Sequence, residues 1–296
     1  MHSLNRYARP HDFAALTRLE PALAGYLITT PDGRNSLDFT SAAAVRLLNK
    51  TLLIKDYNLK FWDIPEGNLC PGVPGRLDYI HVLADLLEEA RPQVQGKVKW
   101  QTVRGLDVGT GASLIYPILA VGEYGWRMVG TDIDPTALRV AGAIAKFNPT
   151  LKKKIQLRIQ PDAKAIFHNV IFPDDYFDVT LCNPPFFESA AAVQLAAKQK
   201  WEKLGVSSSA NAPTLNFGGR ANELWTAGGE PAFLRRMILE SVDFAGQVGW
   251  FTTLVSKKSY LNIAETEFRR YGITDFKTVG IGGGGKRRRI LCWRSS

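Results

Sequence analysis

Leu106-Asp107-Val108-Gly109-Thr110-Gly111-Ala112-Ser113 decides the fold. The apolar run Val103–Val108 reads as a β-strand, and two glycines sit at the turn that leaves it. Missing side chains there let a ligand approach the backbone. The next strand-like run, Arg127–Asp132, ends on an acid 21 residues after Gly111. A carboxylate in that position bonds the two ribose hydroxyls of an adenosine. A dinucleotide fingerprint places glycine or alanine three residues after Gly111. This chain has Leu114 there and an additional acid, Asp107, in the turn. The pattern favours S-adenosyl-L-methionine over a nicotinamide dinucleotide, with a purely structural glycine turn as the alternative.

Working outward, apolar runs alternate with helical patterns from Val103 onward, which predicts βαβ units around a mostly parallel sheet. The remaining predicted strands are Ile155–Ile159, Phe177–Cys182, Val248–Val255, Thr274–Val279 and Arg288–Trp293. Predicted helices lie near Ser113–Glu123, Pro135–Lys146, Pro231–Ala245 and Tyr260–Tyr271. Only Gly282–Gly285 and a few neighbours separate the last two strands, so a hairpin is expected and the last strand should run antiparallel. Residues 1–100 read as an N-terminal helical extension, with helices at Asp12–Leu19, Ser41–Asp56 and Tyr79–Arg91 and a Pro/Gly-rich separator at Pro65–Gly75. Residues 101–296 form the sheet domain, carrying an insertion at about 189–229 whose centre is loop-like.

The fourth sheet strand runs directly into Asn183-Pro184-Pro185-Phe186-Phe187. Ligands on open α/β sheets bind beyond the carboxyl ends of strands, so this stretch belongs beside the glycine turn. The exocyclic amine of adenine is a poor nucleophile because its lone pair is delocalised into the ring. The Asn183 side-chain oxygen and the Pro184 carbonyl can accept its two N–H groups, concentrating electron density on nitrogen and orienting it. Consecutive prolines, Pro184 and Pro185, hold those acceptors in place, and Phe186 is suited to stack on the base. Taken alone, an Asn-Pro turn followed by aromatics also occurs as ordinary core. The pairing with a DxGxG turn and a downstream acid gives it meaning.

The whole chain has 296 residues and a net charge of +9. Residues 1–100 and 101–182 each contribute +1, whereas residues 183–296 contribute +7. A basic excess concentrated after Asn183 points to a polyanionic partner presented to that site. Cys70, Cys182 and Cys292 lie far apart, and the four histidines show no ligand spacing with them. No zinc site or disulfide framework is expected. With no apolar leader and no membrane-length apolar run, the expected setting is a reducing, soluble compartment.

Further stretches carry a family resemblance: Asn5-Arg6-Tyr7, the run from Trp62 to His81 (WDIPEGNLCPGVPGRLDYIH), Ile115-Tyr116-Pro117, Leu181–Phe186, the run from Leu215 to Glu230 (LNFGGRANELWTAGGE) and Leu254–Lys258. Together they closely resemble the bacterial 23S rRNA adenine-N6 methyltransferase F family. They are more distantly similar to the eukaryotic U6 snRNA adenine-N6 methyltransferase, methyltransferase-like protein sixteen. The resemblance implies a class I S-adenosyl-L-methionine-dependent methyltransferase with a Rossmann-like seven-stranded sheet, an RNA partner (ribosomal RNA favoured, U6 snRNA the alternative), no metal and no obligate protein partner. It implies a cytoplasmic location, or a nuclear one on the eukaryotic reading. Arg76 would reach the methionine carboxylate, Gly109, Gly111 and Ser113 would line the cofactor with Asp107, and Asp132 would hold its ribose. Asn183 to Phe186 would hold the target adenine. The turn at Asp107–Ser113 and Phe187 look more like the eukaryotic branch. The segment Gly282–Arg289 departs from relatives, which carry a glutamine-rich turn before the last strand.

Lys286, Arg287, Arg288 and Arg289 read as phosphate contacts on a flexible hairpin, supported by Lys257 and Lys258 after the fifth strand and by Arg235-Arg236, a pair that reads equally well as ordinary surface. Trp201, Phe217 and Trp225 in the insertion are either stacking clamps for a splayed nucleotide or core. Two rivals stay open: a protein glutamine-N5 methyltransferase, whose amide presents similar chemistry, and a catalytically silent scaffold.

Overall fold

In the computed structural model, residues 1–90, 98–189, 191–192, 195, 225–282 and 288–295 are described. The elements in chain order are α1 (Phe13–Leu19), β1 (Leu27–Thr29), β2 (Asn35–Leu37), α2 (Ala42–Tyr57), α3 (Val73–Glu89), β3 (Arg104–Val108), α4 (Ile115–Tyr124), β4 (Arg127–Asp132), α5 (Pro135–Phe147), α6 (Pro149–Lys152), β5 (Ile155–Ile159), β6 (Phe177–Cys182), α7 (Gly229–Asp243), β7 (Val248–Val255), α8 (Ser259–Tyr271), β8 (Asp275–Ile281) and β9 (Arg288–Arg294). Seven strands form one sheet in the order β5-β4-β3-β6-β7-β9-β8. Strands β5 to β7 are mutually parallel. As expected, β9 runs antiparallel to both neighbours.

Burial follows from position in the sheet. Central β6 and β7 read as near-continuous buried runs because helices cover both faces. Edge strand β8 alternates, with most of its residues wet. Side chains of β7 alternate between two cores: Trp250 and Leu254 pack with α2, α3, α4 and α5, while Phe251 and Val255 pack with α7 and α8. The first core is shared by Leu52, Trp62 and Leu83 of the first hundred residues and Val179 and Leu181 of the sheet, so the N-terminal segment covers one sheet face.

Two expectations need correction. Helix α3 starts at Val73, with Gly72 at its N-cap and Pro74 in its first turn, six residues before the expected start. Proline in a first helical turn sacrifices no hydrogen bond, so the Pro/Gly-rich stretch contains the helix start as well as the separator. The first hundred residues are also not wholly helical, because Leu27–Thr29 and Asn35–Leu37 pair as a short antiparallel hairpin.

Candidate active site

The glycine turn is made by a run of left-handed residues: Gly109 has φ 73°, Gly111 φ 62° and Leu114 φ 53°. A Cβ placed on Gly109 would meet nothing within 4 Å. The backbone conformation, not crowding, therefore requires glycine there, and space is left for a ligand. Leu114 pays the strain that glycine avoids; fully buried, it is held in place by its packing. The turn is tied down from three directions. The Thr110 N–H donates to the Thr131 carbonyl at 2.8 Å, the Gly111 N–H donates to Asp132 Oδ2 at 2.9 Å, and Trp62 Nε1 donates to the Ser113 carbonyl at 2.9 Å. The other carboxylate oxygen of Asp132 accepts from the Asp134 N–H at 2.9 Å.

Above this turn lies a cavity of about 380 Å³ at the carboxyl ends of β3, β4 and β6, where open α/β sheets bind ligands. Arg76, Gly109, Gly111, Ser113, Asp132 and Asn183 all line it, together with Pro185. Arg76 arrives from the first turn of α3, its guanidinium 5.6 Å from the Tyr116 ring centroid. Asp107 lies beneath, fully buried, with neither carboxylate oxygen completing a hydrogen bond. Burial pushes its carboxyl up to about 7; the charge of Asp132 adds to the rise, while Thr110 and Arg76 oppose it. Tyr116 lines the cavity with its hydroxyl buried and without a partner. Burial pushes that phenol up to about 12.

At the end of β6, the Cys182 N–H donates to the Tyr79 hydroxyl at 3.4 Å, and that hydroxyl lies 2.7 Å from Thr252 Oγ1. Helix α3 thus supports the strand that delivers Asn183. The Asn183 Oδ1 atom is buried and has no hydrogen-bond partner. Pro184 is buried, and Phe186 is half-buried and does not line the cavity. Phe187 pairs with Trp225 in an isolated parallel bridge, its carbonyl accepting from the Thr226 N–H at 3.0 Å.

The basic residues divide. Lys257 and Lys258 are exposed beyond β7, as a phosphate contact requires. Lys286 and Arg287 lie outside the described residues, as do Trp201, Phe217 and most of the insertion. Arg288 and Arg289 begin β9, at the strand start expected from the sequence, and pair with Ile281 and Gly280 of β8. Arg288 reaches the first turn of α3, its Nη1 lying 3.3 Å from where a Cβ of Gly75 would be. Burial and the charge of Arg76 lower its pKa. Arg288 therefore adds positive charge beside Arg76 instead of standing wholly out in solvent.

Several residues of the site escaped the sequence reading. Gln160 lines the cavity one residue past β5, so the strand-end rule alone would have found it. Glu240 of α7 is buried and accepts from the N–H groups of Ile166 at 2.9 Å, Phe167 at 2.8 Å and His168 at 3.2 Å. It thereby holds the cavity wall at Ala163–Ile166. At the other end of α7, buried Glu230 accepts from the Ser256 N–H at 2.7 Å and from the Ser256 hydroxyl. Phe233 also lines the wall, beside Trp225 and Arg236, which the sequence did single out. No local pattern announces the roles of Glu230 and Glu240, because their partners are distant in sequence.

Among the described residues, no group of three or more His, Cys, Asp and Glu side chains is arranged to hold a metal ion, and no helix is long and apolar enough to cross a membrane. A family model described as RNA methyltransferase matches residues 1–295. The Ribosomal RNA large subunit methyltransferase F of Pseudoalteromonas translucida is 46% identical over 293 residues, covering 99% of this chain and 92% of that protein. Its namesake from Psychrobacter arcticus is 42% identical over 311 residues, covering 99% of this chain and 90% of that protein. Among solved structures, the hMettl16 catalytic domain in complex with MAT2A 3'UTR hairpin 1 matches with a TM-score of 0.80 at 32% identity, covering 99% of this chain and 95% of that one. The N-terminal domain of human METTL16 in complex with SAH matches with a TM-score of 0.77 at 29% identity, covering 99% of this chain and 98% of that one. With nearly its whole length matched by the family model, the chain belongs to this RNA methyltransferase family.

Proposed function

We propose that the protein transfers a methyl group from S-adenosyl-L-methionine to the N6 amine of one adenine in large-subunit ribosomal RNA, releasing S-adenosyl-L-homocysteine. The observation that carries the reading is the Asn183 Oδ1 acceptor, buried without a partner in the wall of the cavity that also holds the glycine turn. The residues present fit the cofactor: the open backbone at Gly109 and Arg76 line one cavity, and the unpaired carboxylate of Asp107 lies buried beneath the turn. Arg76 would hold the methionine carboxylate, Asp107 the ammonium group and Asp132 the ribose. The cofactor supplies an activated methyl on a sulfonium, so no nucleophilic side chain is required of the protein.

Asn183 and the Pro184 carbonyl accept from the amine and set its direction, while Phe186, half-buried just outside the cavity lining, would have to turn toward the base to stack on it. Water exclusion comes from the apolar wall formed by Pro185, Trp225 and Phe233. An adenine must leave its stack to reach Asn183, which costs least in a single-stranded loop. The basic residues after Asn183, Lys257, Lys258 and Lys286 to Arg289 among them, face the RNA backbone in this reading. Residues 1–100 act as a platform for the domain at 101–296, and the insertion at about 189–229 presents the RNA. Relatives named for ribosomal RNA at 42% and 46% identity favour that substrate, and a cytoplasmic location goes with it.

The test is a product analysis. Purified protein is incubated with labelled S-adenosyl-L-methionine and unmodified bacterial ribosomal RNA, U6 RNA or a release factor, and the digested product is identified. N6-methyladenosine from the large-subunit RNA is expected. The same nucleotide only from U6 RNA moves the substrate assignment, methylglutamine moves the chemistry, and no label from any of the three ends the reading.

A further inference from the structure

Buried polar side chains rarely lack a partner, and each exception calls for an explanation. Two residues that line the cavity at its acceptor end each carry such an atom: Asn183 its Oδ1 and Trp225 its Nε1. The first only accepts and the second only donates. The Phe187 to Trp225 bridge and the bond from the Thr226 N–H to the Phe187 carbonyl at 3.0 Å place the indole beside the strand-end segment that starts at Asn183. Tyr116 and Thr110 also line the cavity with unpartnered hydroxyls, but both lie on the cofactor side, Tyr116 beneath Arg76 and Thr110 in the glycine turn. Leaving a buried N–H unpaired is unfavourable. Trp225 differs from Trp126 and Trp250, whose indole N–H groups are also buried without a partner, in that it alone of the three lines the cavity.

We propose that the Trp225 indole N–H donates to N1 of the target adenine while Asn183 accepts from its N6 amine, so that the two side chains select adenine over guanine. The inference rests on the adenine-N6 reading of the site. Adenine presents a donor at N6 next to an acceptor at N1, the complement of the Asn183 and Trp225 pair. Guanine presents an acceptor at position 6 and a donor at N1, opposing both groups. The other ring nitrogen flanking the amine, N7, is an acceptor in both purines. Only N1 lets a buried donor separate the two bases. A site built to hydrogen-bond a group rejects the analogue lacking it far more strongly than a hydrophobic pocket rejects a missing methylene.

The test uses the full chain and a synthetic oligoribonucleotide spanning the methylated adenine, with that adenine left natural or replaced by 1-deazaadenosine or 7-deazaadenosine. For the wild type, 1-deaza substitution should lower kcat/KM about 10-fold to 100-fold, and 7-deaza substitution should change it less than about threefold. Trp225→Phe, which keeps an aromatic ring and removes the N–H, should lose a similar factor on natural RNA and be nearly indifferent to 1-deaza substitution. Its affinity for S-adenosyl-L-methionine should stay at the wild-type value. If the two losses multiply instead of merging, or if 7-deaza substitution is the damaging one, the inference is overturned. Should Trp225→Phe fail to fold, the wild type alone decides, because indifference to 1-deaza substitution removes the N1 contact. Wild-type protein that forms no N6-methyladenosine on the natural oligonucleotide refutes the adenine reading itself, whereas normal product with an unaffected Trp225→Phe refutes only the role of Trp225.

Discussion

The two ends of the cavity are built differently. At the glycine turn the backbone is tied down, with both oxygens of Asp132 accepting backbone N–H groups and the Ser113 carbonyl taken by Trp62, while the side-chain oxygens of Asp107, Thr110 and Tyr116 stay unpartnered around it. At the strand end, Asn183 Oδ1 and Trp225 Nε1 stay unpaired, although their scaffold is firmly fixed by the Glu230 to Ser256 contact and the Phe187 to Trp225 bridge. The turn is a finished backbone surface to which a ligand is added. The strand end is an unfinished hydrogen-bond set that a ligand completes. Binding at the first end and chemistry at the second are therefore separable by mutation.

The sharpest attempt to break that separation is Asn183→Ala. It should lower the single-turnover methylation rate by about 10²-fold to 10³-fold while leaving S-adenosyl-L-methionine affinity, measured by calorimetry, within about threefold. A parallel loss of affinity would merge the two ends into one. Glu240→Ala approaches from the other side. It strips an ionic acceptor from three backbone N–H groups, each such bond being worth about 1.5–3 kcal/mol. Cofactor affinity should fall about tenfold and thermal stability by several degrees, with turnover at saturating cofactor largely kept.

Asp107 is an unpartnered acid at the finished end, and pH exposes it. Its carboxyl titrates near 7 in the folded chain because of burial, against about 4 in an unfolded one. Below pH 4 both states hold the proton; between 4 and 7 only the folded state keeps it. Its contribution to stability is therefore lost as pH rises through that window. Asp107→Asn should flatten the decline in melting temperature between pH 5 and 8, and a mutant with the wild-type slope would assign the decline elsewhere. The same substitution should weaken cofactor binding, most at the alkaline end, where the wild-type carboxylate is charged. The smallest effect belongs to the exposed lysines. Lys257→Ser with Lys258→Ser should reduce the slope of log affinity for RNA against log salt by about 1 to 2, without altering cofactor binding.

The two ends were also unequally legible in sequence. Glycines, a strand-end acid and a proline pair are local patterns, so the elements around Gly109, Asp132 and Asn183 could be placed from spacing alone. Strands β4 to β7 keep their expected bounds, and the central β6 and β7, buried on both faces, read as continuous apolar words. Helix α3 was misplaced at its start because Pro74 and Gly75 read as loop when they stand in a first helical turn. Glu230 and Glu240 were invisible as anchors: Ser256 and Ile166 are 26 and 74 residues away, and a glutamate on a helix reads as solvated surface.

One bond crosses the boundary that composition suggests. Trp62, wholly buried, donates its indole N–H to the Ser113 carbonyl, and the neighbouring Lys60 and Phe61 N–H groups donate to Asn148 Oδ1 at 2.6 and 3.2 Å. The glycine turn is thus buttressed by chain that precedes the sheet. For protein engineering, the sheet unit is not a portable cassette. Grafting residues 101–296 onto another RNA-binding module would leave the turn without its brace and the strand that delivers Asn183 without Tyr79.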